Sequence, residues 1–178
     1  MSEETCLTIS RRDALRGLTL LGCTGIASLT IGGSPRVAFG QSVGGDIGIL
    51  LAALYLEQEA IAAYQAGAES GLLPDALLKA AVAFQADHKH HRDGIIGAIK
   101  TLGGTPIEPQ NKYSFGRLKS DKDILKLARN LEQGAIDAYA NLASSIQNRT
   151  VLDFAAHVLA DEVRHVTVLK SVLGIPNY

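Results

Sequence analysis

From Asp46 onward the chain places its apolar residues at steps of three and four, the spacing of one face of a helix and not of a strand. Leu50, Leu54, Ile61 and Tyr64 mark such a stripe on a first helix, which is expected to run from Asp46, placed to cap it, to about Ser70. Gly71-Leu72-Leu73-Pro74-Asp75 is a tight break. A second stripe, Phe84, Ile95 and Ile99, predicts a helix from about Asp75 to Leu102. Gly103 to Lys119 holds a Gly-Gly pair, prolines and polar residues, too irregular for a helix and long enough to run from one end of a bundle to the other. A third helix is expected from near Asp121, with Ser120 and Asp123 as a capping box, to near Ser145. Thr150 and Asp153 offer a second box for a fourth helix, which Gly174, Ile175 and Pro176 stop after Leu173. These elements make an all-α protein, a four-helix bundle with one long crossover between helices two and three.

The stripes also carry ionisable residues. Glu57 falls on the first, His88 and His91 on the second, and Glu162 and His165 share a face with Val158, Leu169 and Val172. A carboxylate and an imidazole on an apolar face are costly to bury unless something pairs with them, and a metal ion can do so. The chain repeats itself around them. Leu131-Glu132-Gln133-Gly134-Ala135-Ile136-Asp137-Ala138-Tyr139 matches Leu56-Glu57-Gln58-Glu59-Ala60-Ile61-Ala62-Ala63-Tyr64 at an offset of 75 residues. At an offset of 74, Asp161-Glu162-Val163-Arg164-His165 falls on Asp87-His88-Lys89-His90-His91. A lone Glu-x-x-His on a helix is commonly a surface pair; here it has a mate within a duplicated chain.

The expected metal ligands are therefore Glu57, His88, His91, Glu132, Glu162 and His165. Three carboxylates and three imidazoles suit one or two ions of iron, manganese or zinc better than magnesium or calcium. Carboxylates bridge in this reading, and each His is a terminal ligand. Asp87 and Asp161 are placed to accept from the distal nitrogen of a ligand His on a neighbouring helix. Tyr64 and Tyr139, two turns past their Glu, either hydrogen-bond the ligands or pack the core. His90 is expected to point outward and Glu59 to lie off the face of Glu57. A shifted register would pair Asp87 with His90, but it turns the pair away from Phe84 and Ile95.

Composition removes other classes. The 178 residues carry a net charge of −1, two cysteines and no tryptophan. No basic patch interleaved with aromatics offers itself to nucleic acid, and no Gly-rich phosphate loop appears. Residues 1–40 read as a leader: Arg11-Arg12, an apolar run from Leu18 to Ile31, then small residues with a cleavage point near Gly40–Gln41. The arginine pair resembles that of a twin-arginine export signal, which predicts a periplasmic or cell-envelope location. Both cysteines, Cys6 and Cys23, precede Gln41, so no disulfide or thiolate site is expected beyond it. Residues 41–45 form a linker, 46–173 the bundle and 174–178 a tail. Membrane contact is expected only if the leader is retained, and the apolar faces permit a homodimer without requiring one.

Glu57, the second-helix pair, Glu132, and Glu162 with His165 resemble the ligand layout of the ferritin-like superfamily across residues 46 to 173. With its leader the chain is similar to exported bacterial ferritin-like domain proteins, some of them described by likeness to plant desiccation-related proteins. The resemblance implies a diiron-type centre and chemistry with oxygen or peroxide. The chain departs from the family pattern at His88, where a Glu is expected before His91. That change makes the site less anionic, which favours reduced ions, a different metal or a single ion. The alternative is a non-enzymatic bundle, structural, stress-related or partner-binding, with a degenerate metal site.

Overall fold

The computed structural model describes residues 45–177. The expected leader, with Arg11-Arg12, both cysteines and the Gly40–Gln41 cleavage point, lies outside the described residues. Among the described residues four α-helices form: α1 (Asp46–Glu69), α2 (Asp75–Thr101), α3 (Asp121–Leu142) and α4 (Arg149–Leu173), with a 3-10 turn, Ala143–Ser145, after α3. Short turns join α1 to α2 and α3 to α4. The irregular 102–120 segment returns the chain along the bundle. Gly104 meets Ile47 at one end, and Ile124 meets Gly67 at the other. Each helix thus lies antiparallel to two neighbours, α1 beside α2 and α3, and α4 beside α3 and α2. This is a ferritin-like four-helix bundle with its long crossover between the second and third helices.

Local chemistry explains the boundaries, with two corrections. Ser120 caps α3 as expected, its hydroxyl accepting from Asp123 N at 3.2 Å, while Asp123 Oδ2 accepts from Lys119 N at 3.0 Å. Asp46 does not cap α1. It is the first helical residue, and its carboxylate accepts from Gln147 N (2.8 Å) and Asn148 N (2.6 Å), which ties the start of α1 to the approach of α4. The α4 cap is Asn148, not Thr150: its side chain accepts from Thr150 N and Val151 N, and Asp153 pairs with Arg149. Asn is a better N-cap than Thr, and two residues earlier it takes the orphan donors first. Gly174, at φ 67°, closes α4 in the left-handed conformation that glycine tolerates.

The core has an apolar layer at each end. Leu50, Leu54, Ile95, Ile99, Val151 and Val158 fill one, and Tyr64, Ala81, Leu125, Ala128 and Leu169 the other, with Phe84 and Leu77 packed against it. Val172 is a further correction, since it is 47 % exposed and does not belong to the inward face of α4. At the middle of α2, Gly94 makes room for the Phe154 ring, which lies 2.6 Å from where a Cβ would stand. α1 is buried on more than one side. Gln58 Nε2 donates to Ile107 O at 3.0 Å, so the crossover covers a face that the stripe alone left open. Along α1 length and composition would suffice to cross a membrane, but more than half of that apolar stretch is packed inside the bundle.

Candidate metal centre

Between the two apolar layers lies a polar one. Glu57 on α1, His88 and His91 on α2, Glu132 on α3, and Glu162 and His165 on α4 meet there, each at most 2 % exposed. They form two four-residue groups, Glu57–His88–His91–Glu162 and His88–Glu132–Glu162–His165, whose ligand atoms lie within 4.8 Å of one another. The helical steps of three and four deliver them. His88 and His91 fall on the α2 face that buries Ile95 and Ile99, and Glu162 and His165 on the α4 face of Val158 and Leu169.

The supports are exchanged between the halves. Tyr139 donates to Glu57 Oε1 at 2.7 Å, and Tyr64 donates to Glu132 Oε1. His91 Nε2 donates to Asp161 Oδ2 at 3.2 Å, and His165 Nε2 lies 3.1 Å from Asp87 Oδ2. Of the two roles open to the tyrosines, both engage a glutamate of the cluster. Arg164, which the sequence reading passed over, joins the two aspartates: Nη2 is 2.8 Å from Asp87 Oδ2 and 3.2 Å from Asp161 Oδ1. Its signal was its place, three residues after Asp161 and beside His165. Phe84 stacks on the His165 ring with centroids 4.1 Å apart.

His88 differs from the other two histidines. Neither of its nitrogens reaches an aspartate. Nδ1 donates to Glu57 Oε2 at 2.8 Å and Nε2 to Glu132 Oε1 at 3.2 Å, so the ring spans the two halves. His90 is exposed, as expected. Glu59 stays outside the cluster but is buried, near enough to Tyr55 and Tyr113 that its charge, after burial itself, raises both phenols' pKa.

Charge is balanced within the cluster. Burial opposes ionisation of Glu57, yet the hydrogen bond from His88 and the His91 ring beside it hold its pKa below the ordinary value. Burial likewise opposes ionisation of Glu132, but Glu162, His165 and His88 beside it hold it well below. Burial and then Glu132 push Glu162 up to about 11, so this carboxyl keeps its proton at neutral pH. Burial works against charging His88, but Glu132 and Glu57 raise it well above the usual imidazole range. His91 is raised too, against burial, by Glu57 and Asp161.

The donor set fits a metal ion. His91 Nδ1, His165 Nδ1, Glu132 Oε2 and both Glu162 oxygens are buried without a hydrogen-bond partner. Each such atom costs about 1–3 kcal/mol, a cost that coordination would remove. These five, of the nine such atoms among the described residues, gather in the cluster, and both histidines keep an outer carboxylate on the opposite nitrogen, the usual support of a ligating imidazole. A buried Glu/His cluster able to coordinate one or two transition-metal ions therefore sits in the bundle core.

A four-helix bundle carrying such a cluster defines a class, and comparison with known proteins agrees. The chain belongs to the Ferritin-like domain family, whose model matches residues 45–175. No curated protein matches it. Among solved structures it is similar to a conserved hypothetical protein from Mycobacterium tuberculosis, 23 % identical, with a TM-score of 0.67 over 74 % of this chain and 92 % of that one. It is also similar to a ferritin-like, diiron-carboxylate protein from Bacillus anthracis str. Ames, 24 % identical, with a TM-score of 0.60 over 71 % and 94 %. A mycobacterial bacterioferritin, 20 % identical, matches with a TM-score of 0.65 over 72 % and 82 %. At these identities the likeness is one of fold.

Proposed function

We propose that this chain is a metal protein whose ligands are Glu57, His88, His91, Glu132, Glu162 and His165, holding one or two ions of iron or manganese. The single observation that carries the reading is the set of unpartnered inward atoms, His91 Nδ1, His165 Nδ1, Glu132 Oε2 and the Glu162 carboxyl, gathered in one buried layer. The fold neighbour described as a diiron-carboxylate protein supports the choice of iron. A redox metal bound there would supply one-electron exchange with oxygen or peroxide, or hold iron in reserve. The chain's own residues do the rest. Tyr64 and Tyr139 fix the carboxylates, Asp87 and Asp161 orient the imidazoles, and Arg164 holds both aspartates together at the surface. Loading an ion displaces the protons on Glu162, His88 and His91, so affinity falls as pH is lowered. A location in the periplasm or cell envelope is part of this proposal and rests on the sequence pattern of residues 1–40 alone.

The near-complete burial of all six side chains favours a second reading, a closed metal site that stabilises the bundle without turnover. Elemental analysis of chelator-free protein, wild type beside Glu162→Ala, tests the metal reading. One or two equivalents of iron or manganese are expected, and they should be lost in the variant while helicity is kept. Metal content that survives Glu162→Ala would overturn the ligand assignment. Oxygen or peroxide consumption by the loaded protein separates redox chemistry from a structural ion.

A further inference from the structure

We infer that His88 is a bridging ligand whose ring holds one ion at Nδ1 and a second at Nε2, in place of a second bridging carboxylate. The inference rests on the Glu/His cluster being the metal site. It starts from where the two nitrogens point. Nδ1 lies 2.8 Å from Glu57 Oε2 and 3.7 Å from Glu162 Oε1, on the side of His91. Nε2 lies 3.2 Å from Glu132 Oε1, on the side of His165.

The four-donor groups show what this accomplishes. They share two residues, His88 and Glu162. Without His88 each half keeps three protein donors; with it, each reaches four. In the first half, His91 Nδ1 is 3.5 Å from Glu57 Oε2 and 3.3 Å from Glu162 Oε1. Those separations, with the 2.8 and 3.7 Å above, scatter around the edge of a tetrahedron of donors at 2.0–2.1 Å from a metal, about 3.3–3.4 Å. Four of the six donor separations in the first half thus suit a coordination shell that uses Nδ1 alone and leaves Nε2 directed at the second half.

A terminal histidine ligand is built differently, and this chain shows how. His91 and His165 each turn the distal nitrogen outward to an aspartate. His88 has no such outer partner, because its distal nitrogen faces the other set of ligands. Its ring is also held on three sides, by Tyr64 (centroids 5.4 Å), His91 (5.8 Å, edge-on) and His165 (5.4 Å). On bridging, each nitrogen gives a lone pair to one ion, and the protons that both nitrogens donate in the ion-free cluster leave to water. No oxidation state changes.

The test uses Co2+ added stepwise to the full chain, followed by electron paramagnetic resonance and X-ray absorption. The expected result is two equivalents bound with proton release. The second should diminish the signal of the first by exchange through the ring, at a metal–metal separation of about 6 Å, the span of an imidazole with a bond at each nitrogen. In His88→Gln the exchange should vanish. His88→Glu should bring the ions to about 3.5–4 Å, the spacing of ordinary two-metal sites. A wild-type separation already in that shorter range, two uncoupled ions, one ion only, or exchange that persists in His88→Gln would each overturn the bridge while leaving the metal site standing. Failure to bind Co2+, iron or manganese at all would overturn both. If the variants fail to fold, the wild-type separation still decides.

Discussion

In the α1–α2 half, Glu57 accepts from a tyrosine, His91 donates to an aspartate, and residue 88 is a histidine. In the α3–α4 half, Glu132 accepts from a tyrosine, His165 faces an aspartate, and the matching residue 162 is a glutamate. Every support comes from the other half, so neither pair of helices can hold its cluster side chains alone. The difference is confined to the centre. There the imidazole ring lies between Glu57 and Glu132 and shares with His91 the positive charge set against them, while Glu162 holds its proton. The duplication kept its outer supports alike and let its two central positions diverge, one to a buried cation and one to a buried neutral acid.

The comparison can be broken most directly at those carboxyls. Glu57→Gln removes one of the two anions that His88 contacts and should destabilise the ion-free protein by ~3–5 kcal/mol, the usual cost of opening a buried charge pair. Glu162→Gln replaces a carboxyl that is already neutral and should cost at most ~1 kcal/mol. Urea denaturation with chelator at neutral pH measures both. Equal losses would mean that Glu162 is ionised and that the centre is more symmetric than described here.

The dependence on pH sharpens the same contrast. His88 and His91 hold their protons more tightly in the folded protein than at the ordinary 6.5, and Glu162 does so at about 11 against 4.5. Groups with raised values stabilise the fold on the acid side and lose that contribution as pH rises. Glu57 and Glu132, with lowered values, contribute above about 4.5 and lose it as pH falls through their folded values. Ion-free protein should therefore be most stable near pH 4.5, decline above it as Glu162 loses its contribution, and decline more steeply above about 6.5, where His88 and His91 add theirs. Glu162→Gln should flatten part of that decline. A stability that rises from neutral to alkaline pH would contradict the protonation pattern.

Much of this was legible in the sequence because helical periodicity is local. The stripes of α2 and α4 give the inward positions from residue spacing alone, and the repeat supplies their partners on α1 and α3. The errors arose where a long-range contact decides. Asp46 was expected to cap its own helix and instead binds backbone a hundred residues away. Val172 fits the α4 stripe by spacing, but lies near the helix end, where neighbours no longer cover it. Glu59 is buried on a side of α1 that no periodicity marks, and Gln58 reaches the crossover there. The role of His88 could not be read either, since spacing gives a face but not the direction of each ring nitrogen.

Packing between the halves offers a smaller perturbation. Gly94→Ala pushes a Cβ against the Phe154 ring at the α2–α4 contact. Overpacking of this kind costs about 1–3 kcal/mol unless the ring end swings aside. A thermal melt measures it. The shift should be similar with and without metal, because the added Cβ meets Phe154 and no side chain of the cluster.

The smallest effects belong to the shared surface clamp. Asp87→Asn and Asp161→Asn each weaken one carboxylate behind one histidine, and Arg164→Ala releases both at once. The aspartates are 39 % exposed and Arg164 56 %, so the ion pairs themselves should contribute less than ~1 kcal/mol to folding. Metal affinity should respond more, by ~10–100-fold for either aspartate, since each orients a ligand and supports its basicity. Competition with a chelator of known affinity resolves a change of that size. If the supports are as alike as the geometry makes them, the two aspartate variants should weaken binding to a similar degree, and Arg164→Ala should affect both ions. A loss confined to Asp161→Asn would show instead that only the His91 half holds a tightly bound ion, which would place the whole asymmetry of the molecule in its metal occupancy.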